Sequence, residues 1–459
     1  MTVAAGWRAC APHAAGVAAL ATLLLAAAGE VRAQAVGGSP QGPQPRGRAY
    51  QGLFGQEPQT TDGDTLTFVG SLSGGYDDNV FAGAGGSGSP ARQEDGWLAA
   101  VSGQLAYERR TRRLQLETSA LGAAQYSPTF ERDWARFGSL LAGLRYDLTP
   151  RWSIGLNGRV GYRDQLRFSQ VPDGGADLSP GVPSAPDADL EGEGSIAERP
   201  SVLYSGGANL SYRASPRGSF SALAHGSHID YLDDDQAQDV WSAGARYRYR
   251  VTNYFTANAG YGYREGNYAR GAGTDEVNRS HSILAGGDYS RPLSANRRTY
   301  LNLGFGSAIY SRERAVVDQD QFYRFIANAG LSHDFGRSWQ LMATYRRGVQ
   351  WILYSPDPVY VDNVHVDLAG NLTPRWSLAA TSFYSNGQLA ATAQARPLDR
   401  FGNTARLQYA MTRSLAAFVQ YVYYYYLTDP LTAAQLGIAP EYDRNGVRVG
   451  LTTVVPLIR

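Results

Sequence analysis

The sequence predicts an all-β chain, a closed antiparallel transmembrane β-barrel of about eighteen strands running from Asp64 to Arg459. Three observations predict it. Runs of roughly ten to fifteen residues, rich in Tyr and Gly, alternate polar and apolar side chains, as strands with one wet and one oily face must. Very short turns and longer polar loops alternate between those runs from end to end. A secretory leader precedes them, and no later segment approaches about eighteen consecutive apolar residues, the length a spanning helix needs. A soluble β-sandwich or propeller is the competing architecture, but neither needs the leader, the one-sided turn pattern and the aromatic girdle together.

The leader is read over residues 1–35. Arg8 and His13 precede an apolar stretch, Ala14 to Ala28, and small-residue sites follow at Val31-Arg32-Ala33 and Ala33-Gln34-Ala35. That order is a signal peptide cleaved after Ala35 or Ala33. The single cysteine, Cys10, lies before the apolar stretch, where a lipid-anchor cysteine would lie after it. The exported chain is therefore expected to hold no disulfide and no thiolate metal site. Residues 36–63, with Gly37-Gly38-Ser39-Pro40-Gln41-Gly42-Pro43, read as a disordered periplasmic arm too short to form a folded plug.

Within the barrel segment, residues 64–459, the short connections share a pattern: Leu148-Thr149-Pro150-Arg151-Trp152, Ala214-Ser215-Pro216-Arg217-Gly218, Val251-Thr252-Asn253-Tyr254, Leu372-Thr373-Pro374-Arg375-Trp376 and Met411-Thr412-Arg413-Ser414. Phe335-Gly336-Arg337-Ser338-Trp339 is a looser version. Pro or a small polar residue sets the turn, and the aromatic that follows falls at the membrane interface. In outer-membrane barrels the short connections face the periplasm and the long ones the outside. An even strand count leaves both ends of the barrel segment on the periplasmic side.

Charge sorts the two faces of each strand. In Val240 to Val251, Trp241, Ala243, Ala245, Tyr247 and Tyr249 alternate with Ser242, Gly244, Arg246, Arg248 and Arg250. An Arg on lipid near the midplane costs about 2–4 kcal/mol, so the Arg face is the lumen. The same test turns Arg159 and Arg163 inward against Trp152, Ile154, Leu156, Val160 and Tyr162, and Arg264 inward against Tyr261 and Tyr263. It turns Arg324 inward against Tyr323 and Phe325, and Arg406 inward as well. Those seven arginines, Arg159, Arg163, Arg246, Arg248, Arg264, Arg324 and Arg406, are the candidate pore-lining residues; Arg145 and Arg346 join them. Fewer acids share the face: Glu108, Glu117, Asp147, Asp288, Asp334 and Asp367. All 42 basic residues of the chain are Arg and none is Lys, which favours rigid forks that pair with carboxylates. The net charge of +1 gives a nucleic-acid partner no support.

At the first strand the chain reads Gly74-Gly75-Tyr76-Asp77-Asp78-Asn79-Val80-Phe81. With the Leu-Thr-Pro-Arg-Trp turns, this resembles the β-barrel porin 2 family of outer-membrane proteins, over most of the chain. The resemblance implies an outer-membrane barrel, embedded in outer-membrane lipid, inserted by the barrel-assembly machinery and often linked to exopolysaccharide loci. The close, Val455-Pro456-Leu457-Ile458-Arg459, departs from outer-membrane barrels, which usually end on an aromatic that this machinery reads.

The longest loop, Leu166 to Glu198, carries Asp187, Asp189, Glu191 and Glu193 among its acids and no basic residue between Arg167 and Arg199. It looks like the third loop of porins, and these acids are candidate constriction-loop residues opposite the Arg246/Arg248 wall; a solvated acidic surface loop is the other reading. No catalytic residue, metal site or cofactor is expected. His225 and His228 fall on opposite faces of one strand. Asp77-Asp78-Asn79 and Asp233-Asp234-Asp235 lack a full calcium-ligand loop and read as solvated acids. Tyr423 to Tyr426 read as aromatic girdle. The functional expectation is a porin-like channel for passive passage of small polar or anionic solutes. An outer-membrane barrel partner of polysaccharide-export components and a non-conducting adhesin or scaffold are the alternatives. No enzyme is expected.

Overall fold

The computed structural model describes residues 63–79, 95–128, 134–163, 200–232, 236–270, 275–293, 298–313, 320–336, 338–351, 358–389, 397–428 and 441–458. Among the described residues lie eighteen strands: β1 (Gly63–Asp77), β2 (Gly96–Arg110), β3 (Leu114–Tyr126), β4 (Trp134–Asp147), β5 (Trp152–Arg163), β6 (Ser201–Arg213), β7 (Gly218–Tyr231), β8 (Gln236–Arg250) and β9 (Phe255–Arg270). The second half holds β10 (Asp275–Pro292), β11 (Thr299–Glu313), β12 (Asp320–Phe335), β13 (Trp339–Trp351), β14 (Pro358–Asn371), β15 (Trp376–Leu389), β16 (Pro397–Ala410), β17 (Leu415–Thr428) and β18 (Glu441–Ile458). Each pairs antiparallel with its sequence neighbours, and β1 pairs with both β2 and β18, so one sheet closes on itself. Closure leaves no edge, which is what lets strands cross a bilayer with every ladder bond satisfied. The signal segment, the arm through Asp62 and the acids Asp187, Asp189, Glu191 and Glu193 lie outside the described residues, as do Asp233, Asp234 and Asp235.

The short turns are built by a hydroxyl. Thr149 Oγ1 accepts from the backbone N–H of Arg151 at 3.2 Å and of Trp152 at 3.1 Å. Thr373 does the same for Arg375 and Trp376, Ser215 for Arg217 and Gly218, Thr252 for Tyr254 and Phe255, and Thr412 for Ser414 and Leu415. The recurring determinant is therefore the Ser or Thr side chain, since Pro follows it at only three of these five turns. A side-chain oxygen in this position supplies an acceptor the tight turn lacks. Thr149→Ala is expected to lower stability by about 1 kcal/mol, and Thr149→Ser to restore it, read as the temperature at which the barrel unfolds in detergent. The looser turn uses another device: Gly336 sits at φ 65°, a left-handed geometry that side chains resist.

Outward positions form an apolar belt. Leu72 is 59 % exposed, Trp97 70 %, Ile283 53 %, Phe325 56 % and Val449 53 %, each flanked in sequence by less exposed residues. Exposed apolar area on that scale is a lipid contact rather than a soluble surface. Aromatic pairs mark the two rims. Trp152 stacks on Tyr212 at 4.3 Å, and Trp376 meets Tyr409 at 4.8 Å, beside the short turns. Tyr76 meets Trp97 at 5.4 Å, and Tyr126 meets Trp134 at 5.2 Å, beside the long loops. Such rings are favoured at membrane interfaces. The Tyr423 to Tyr426 run corrects the sequence reading in part. Alternation divides it, with Tyr423 paired edge-on to Phe401 at 5.9 Å, while Tyr424 and Tyr426 are buried on the opposite face.

Candidate functional site, the lumen wall

Register carries the lumen face around the barrel. Arg163 lies opposite Phe137 and Arg159 opposite Leu141 across β4 and β5. Arg248 lies opposite Asn258, Arg246 opposite Gly260 and Ser242 opposite Arg264 across β8 and β9. Asn328 opposes Arg346 across β12 and β13, and Ala379 opposes Arg406 across β15 and β16. All of these positions share the parity opposite to the exposed apolar belt. Glu108 faces Glu117 and Gln115 faces Arg145 on the same surface near the short-turn rim. Arg110 bonds Glu108 at 2.7 Å, and Gln115 donates to Glu117 at 2.6 Å.

This face divides into two unlike regions. Along β4 to β9, apolar side chains of lumen parity remain exposed, Leu223 at 52 % and Leu141 at 39 %, and Asn157 is exposed as well. Arg159, Arg246, Arg248 and Arg264 stand among them, half-buried. Only a space inside the wall exposes side chains on both faces of the same strands. Asp288 tempers this bank by accepting from Asn258 at 3.1 Å.

Along β16 to β18 the face is packed. Arg400, Arg406, Arg444 and Arg448 are all buried, with Gln420, Phe418, Tyr424 and Tyr426 between them on β17. Register sets Arg406, Gln420 and Arg448 in one row and Gly402, Tyr424 and Arg444 in another, with Arg400 opposite Tyr426. The Arg406 guanidinium lies 3.8 Å from the centroid of the Phe418 ring, a cation–π contact. Phe383 of β15 covers the space over Gly402 and meets Tyr424 at 6.0 Å. Sequence reasoning found Arg406 here but missed Arg400, Arg444 and Arg448. The signal was available: Val447, Val449 and Leu451 supply the oily stripe of β18, which throws Arg444 and Arg448 to the other face.

The Asp77-Asp78-Asn79 segment is not a solvated acidic patch. Asp77 is 1 % exposed and bonds Arg444, itself 6 % exposed by side chain, through Nη2 at 2.6 Å and Nε at 2.7 Å. Asp78 accepts from the Asn445 backbone N–H at 2.6 Å and from its side-chain amide at 2.9 Å. Asn79 donates to the Asp443 carbonyl at 2.8 Å. Three consecutive side chains thus fasten the first strand to the last at the long-loop end of the closing seam. Gly75 permits it, since a Cβ there would lie 2.4 Å from the Val447 carbonyl oxygen and 2.9 Å from Arg448.

Arg324 departs from its expected place. Its parity is that of the lumen, yet its guanidinium sits 5.3 Å from the ring centroid of Tyr360, an outward-parity residue of β14. Histidines are dispersed: His365 and Asp367, both of lumen parity, are joined at 3.0 Å, while His228 pairs with Asp239 at 2.7 Å on the outer face. Among the described residues no cluster of three or more His, Cys, Asp or Glu could hold a metal.

A closed eighteen-stranded antiparallel barrel with an apolar belt, two aromatic rims and a polar, charged interior is a barrel of the outer membrane. Solved structures of similar fold include the ferric-catecholate import receptor Fiu from E. coli K12, at 9 % identity and TM-score 0.41, covering 87 % of this chain and 82 % of that one. They also include the FrpB iron transporter from Neisseria meningitidis (F5-1 variant), at 9 % identity and TM-score 0.45, covering 86 % and 81 %. Pseudomonas aeruginosa OccK5 (OpdH) aligns at 12 % identity and TM-score 0.41, covering 86 % and 98 %. No family model and no curated protein matches the chain, so the family resemblance rests on Gly74 to Phe81 and the turn motifs alone.

Proposed function

We propose that this barrel is a channel for passive passage of small polar and anionic solutes across the outer membrane. The observation that carries it is the half-open basic bank of β4 to β9, where Arg159, Arg246, Arg248 and Arg264 stand beside exposed lumen side chains. Positive groups along a low-dielectric passage raise the local concentration of anions and lower that of cations. Barrels of about sixteen to eighteen strands are wide enough for an aqueous path. Liposome swelling tests the reading. Vesicles carrying the protein are expected to swell in isotonic arabinose and faster in sodium gluconate than protein-free vesicles do; swelling no faster than those vesicles in either solute contradicts it.

Partnership in exopolysaccharide export is a second reading. The packed β16–β18 bank supports it, because side chains that fill one stretch of the lumen face narrow the passage there. The two readings differ in conductance. An export partner held shut would give none until its partner docked.

The orientation proposed follows the rule that outer-membrane barrels keep their short connections in the periplasm and their long ones outside. A cysteine placed at Ser215, in a short turn, is expected to react with an impermeant maleimide only after the outer membrane is opened. One placed at Asp95, beside the long loop that precedes β2, is expected to react on intact cells. The reverse pattern would overturn the assignment of sides.

A further inference from the structure

One patch of the lumen wall has a floor of glycine. On β5 to β9 the positions of lumen parity include Gly155, Gly207, Gly244, Gly260 and Gly262. Neighbouring side chains lean over these gaps. A Cβ at Gly207 would meet Asn157 Oδ1 at 2.7 Å and His225 Nδ1 at 3.2 Å, so an amide from β5 and an imidazole from β7 flank one point above β6. A Cβ at Gly155 would meet Asn209 Oδ1 at 2.6 Å, and one at Gly244 would lie 3.8 Å from Leu223 Cγ. Asn157, Leu223 and His225 are all exposed. Nearer the long loops the same face is packed, with Ile229, Tyr231, Gln238 and Val240 buried.

Register orders the chemistry along the strands. Across β7 and β8, His225 lies opposite Ser242, Leu223 opposite Gly244 and Ser221 opposite Arg246. Neutral hydrogen-bonding groups therefore stand at one end of the patch. An apolar side chain beside bare backbone holds the middle, and a guanidinium holds the other end. His225 and Ser221 are four positions apart, about 13 Å of strand. The arginine side chain spans part of that distance, which leaves the length of one flat ring with a polar group at each end. Glycine within a strand marks a place where a ligand comes close to the backbone, and Gly244 faces Gly262 on the next strand.

We propose that this patch is a solute-binding station in the lumen, and that its ligand is a flat aromatic carboxylate with a hydroxyl at the far end. The inference rests on the channel reading above and adds the class of solute. The carboxylate takes the planar fork of Arg246, which can offer it two parallel N–H donors. The ring lies on the Gly244–Gly262 floor against Leu223. The hydroxyl meets Asn157 and His225, side chains that both donate and accept. Arg246 thus selects for charge, and the Asn157–His225 pair chooses among anions, because a site built to bond a hydroxyl rejects the analogue that lacks it. A sugar acid of the same charge sets hydroxyls against Leu223 and fits less well.

Ligand-observed NMR on the barrel in nanodiscs tests it without needing a current. Para-hydroxybenzoate is expected to bind about tenfold more tightly than benzoate, the equivalent of one hydrogen bond at a site built to make it. Gluconate is expected to bind more weakly than either. Asn157→Ala with His225→Ala is expected to bring para-hydroxybenzoate down to the benzoate level. Arg246→Ser is expected to weaken both aromatic acids about tenfold, and to weaken neutral para-hydroxybenzyl alcohol far less. Should the double variant not fold, judged by heat-modifiable migration, Asn157→Ala and His225→Ala are read singly. Equal binding of para-hydroxybenzoate and benzoate, or a preference that survives loss of Asn157 and His225, overturns the station. Acids bound equally before and after Arg246→Ser overturn the carboxylate's place in it. Blockade of the salt current by the same acids is recorded in planar bilayers. A barrel that discriminates by NMR and gives no current keeps the station and loses the channel. One that conducts without discriminating keeps the channel and loses the station.

Discussion

Asp77→Ala is expected to unfasten the barrel at its closing seam. The substitution leaves Arg444, 6 % exposed by side chain, without the carboxylate it bonds. Removing one member of a buried pair costs about 3–5 kcal/mol, because the remaining charge stays desolvated. The unfolding temperature in detergent, followed by loss of heat-modifiable migration, should therefore fall sharply. Arg444→Met alone should be nearly as damaging. The double variant Asp77→Leu with Arg444→Met should recover most of the loss, since a buried ion pair replaced by apolar groups of similar volume is often neutral. A double variant no better than the singles would mean that the loss came from disturbed packing around Gly75, not from the charge. Asp78→Ala should cost less, about 1 kcal/mol per lost hydrogen bond, because its bonds to Asn445 are exposed.

The second large effect separates the two basic banks. Arg246→Ser with Arg248→Ser alters side chains that stand in the half-open lumen, so it should move the reversal potential toward cations, most at low salt where screening is weak. Stability should change little. Arg406→Ser with Arg448→Ser alters buried side chains, and there the expected order is reversed. The Phe418 contact and the packing beside Gln420 are lost, and the unfolding temperature falls by more than the selectivity changes. Equal shifts of reversal potential from both double variants would mean that ions reach the packed bank as readily as the open one.

These contrasts mark how far the sequence alone could be read. Strand number, turn positions and strand faces were legible because each is local. An Arg three times repeated on one side of Ser242 to Arg250 excludes lipid on that side whatever the rest of the chain does. The turn mechanism was half legible, since Pro drew attention from the hydroxyls of Thr149 and Thr373 that bind the backbone. What lay beyond reach depends on register between distant strands. Asp77 and Arg444 are separated by 367 positions, and nothing local in either predicts the other. The packed bank of β16 to β18 could be sorted by parity, but its burial follows from Phe383 of β15 and Phe418, Tyr424 and Tyr426 of β17 packing beside the arginines of β16 and β18.

The central claim is an open lumen whose solvent-reached wall is basic, and a planar-bilayer reversal potential across a potassium chloride gradient tests it most directly. The account predicts stepwise conductance and a reversal potential displaced to the anion-selective side, with the displacement shrinking as salt is raised. A purified, heat-modifiable barrel that gives no conductance, or one that reverses on the cation-selective side, would contradict it.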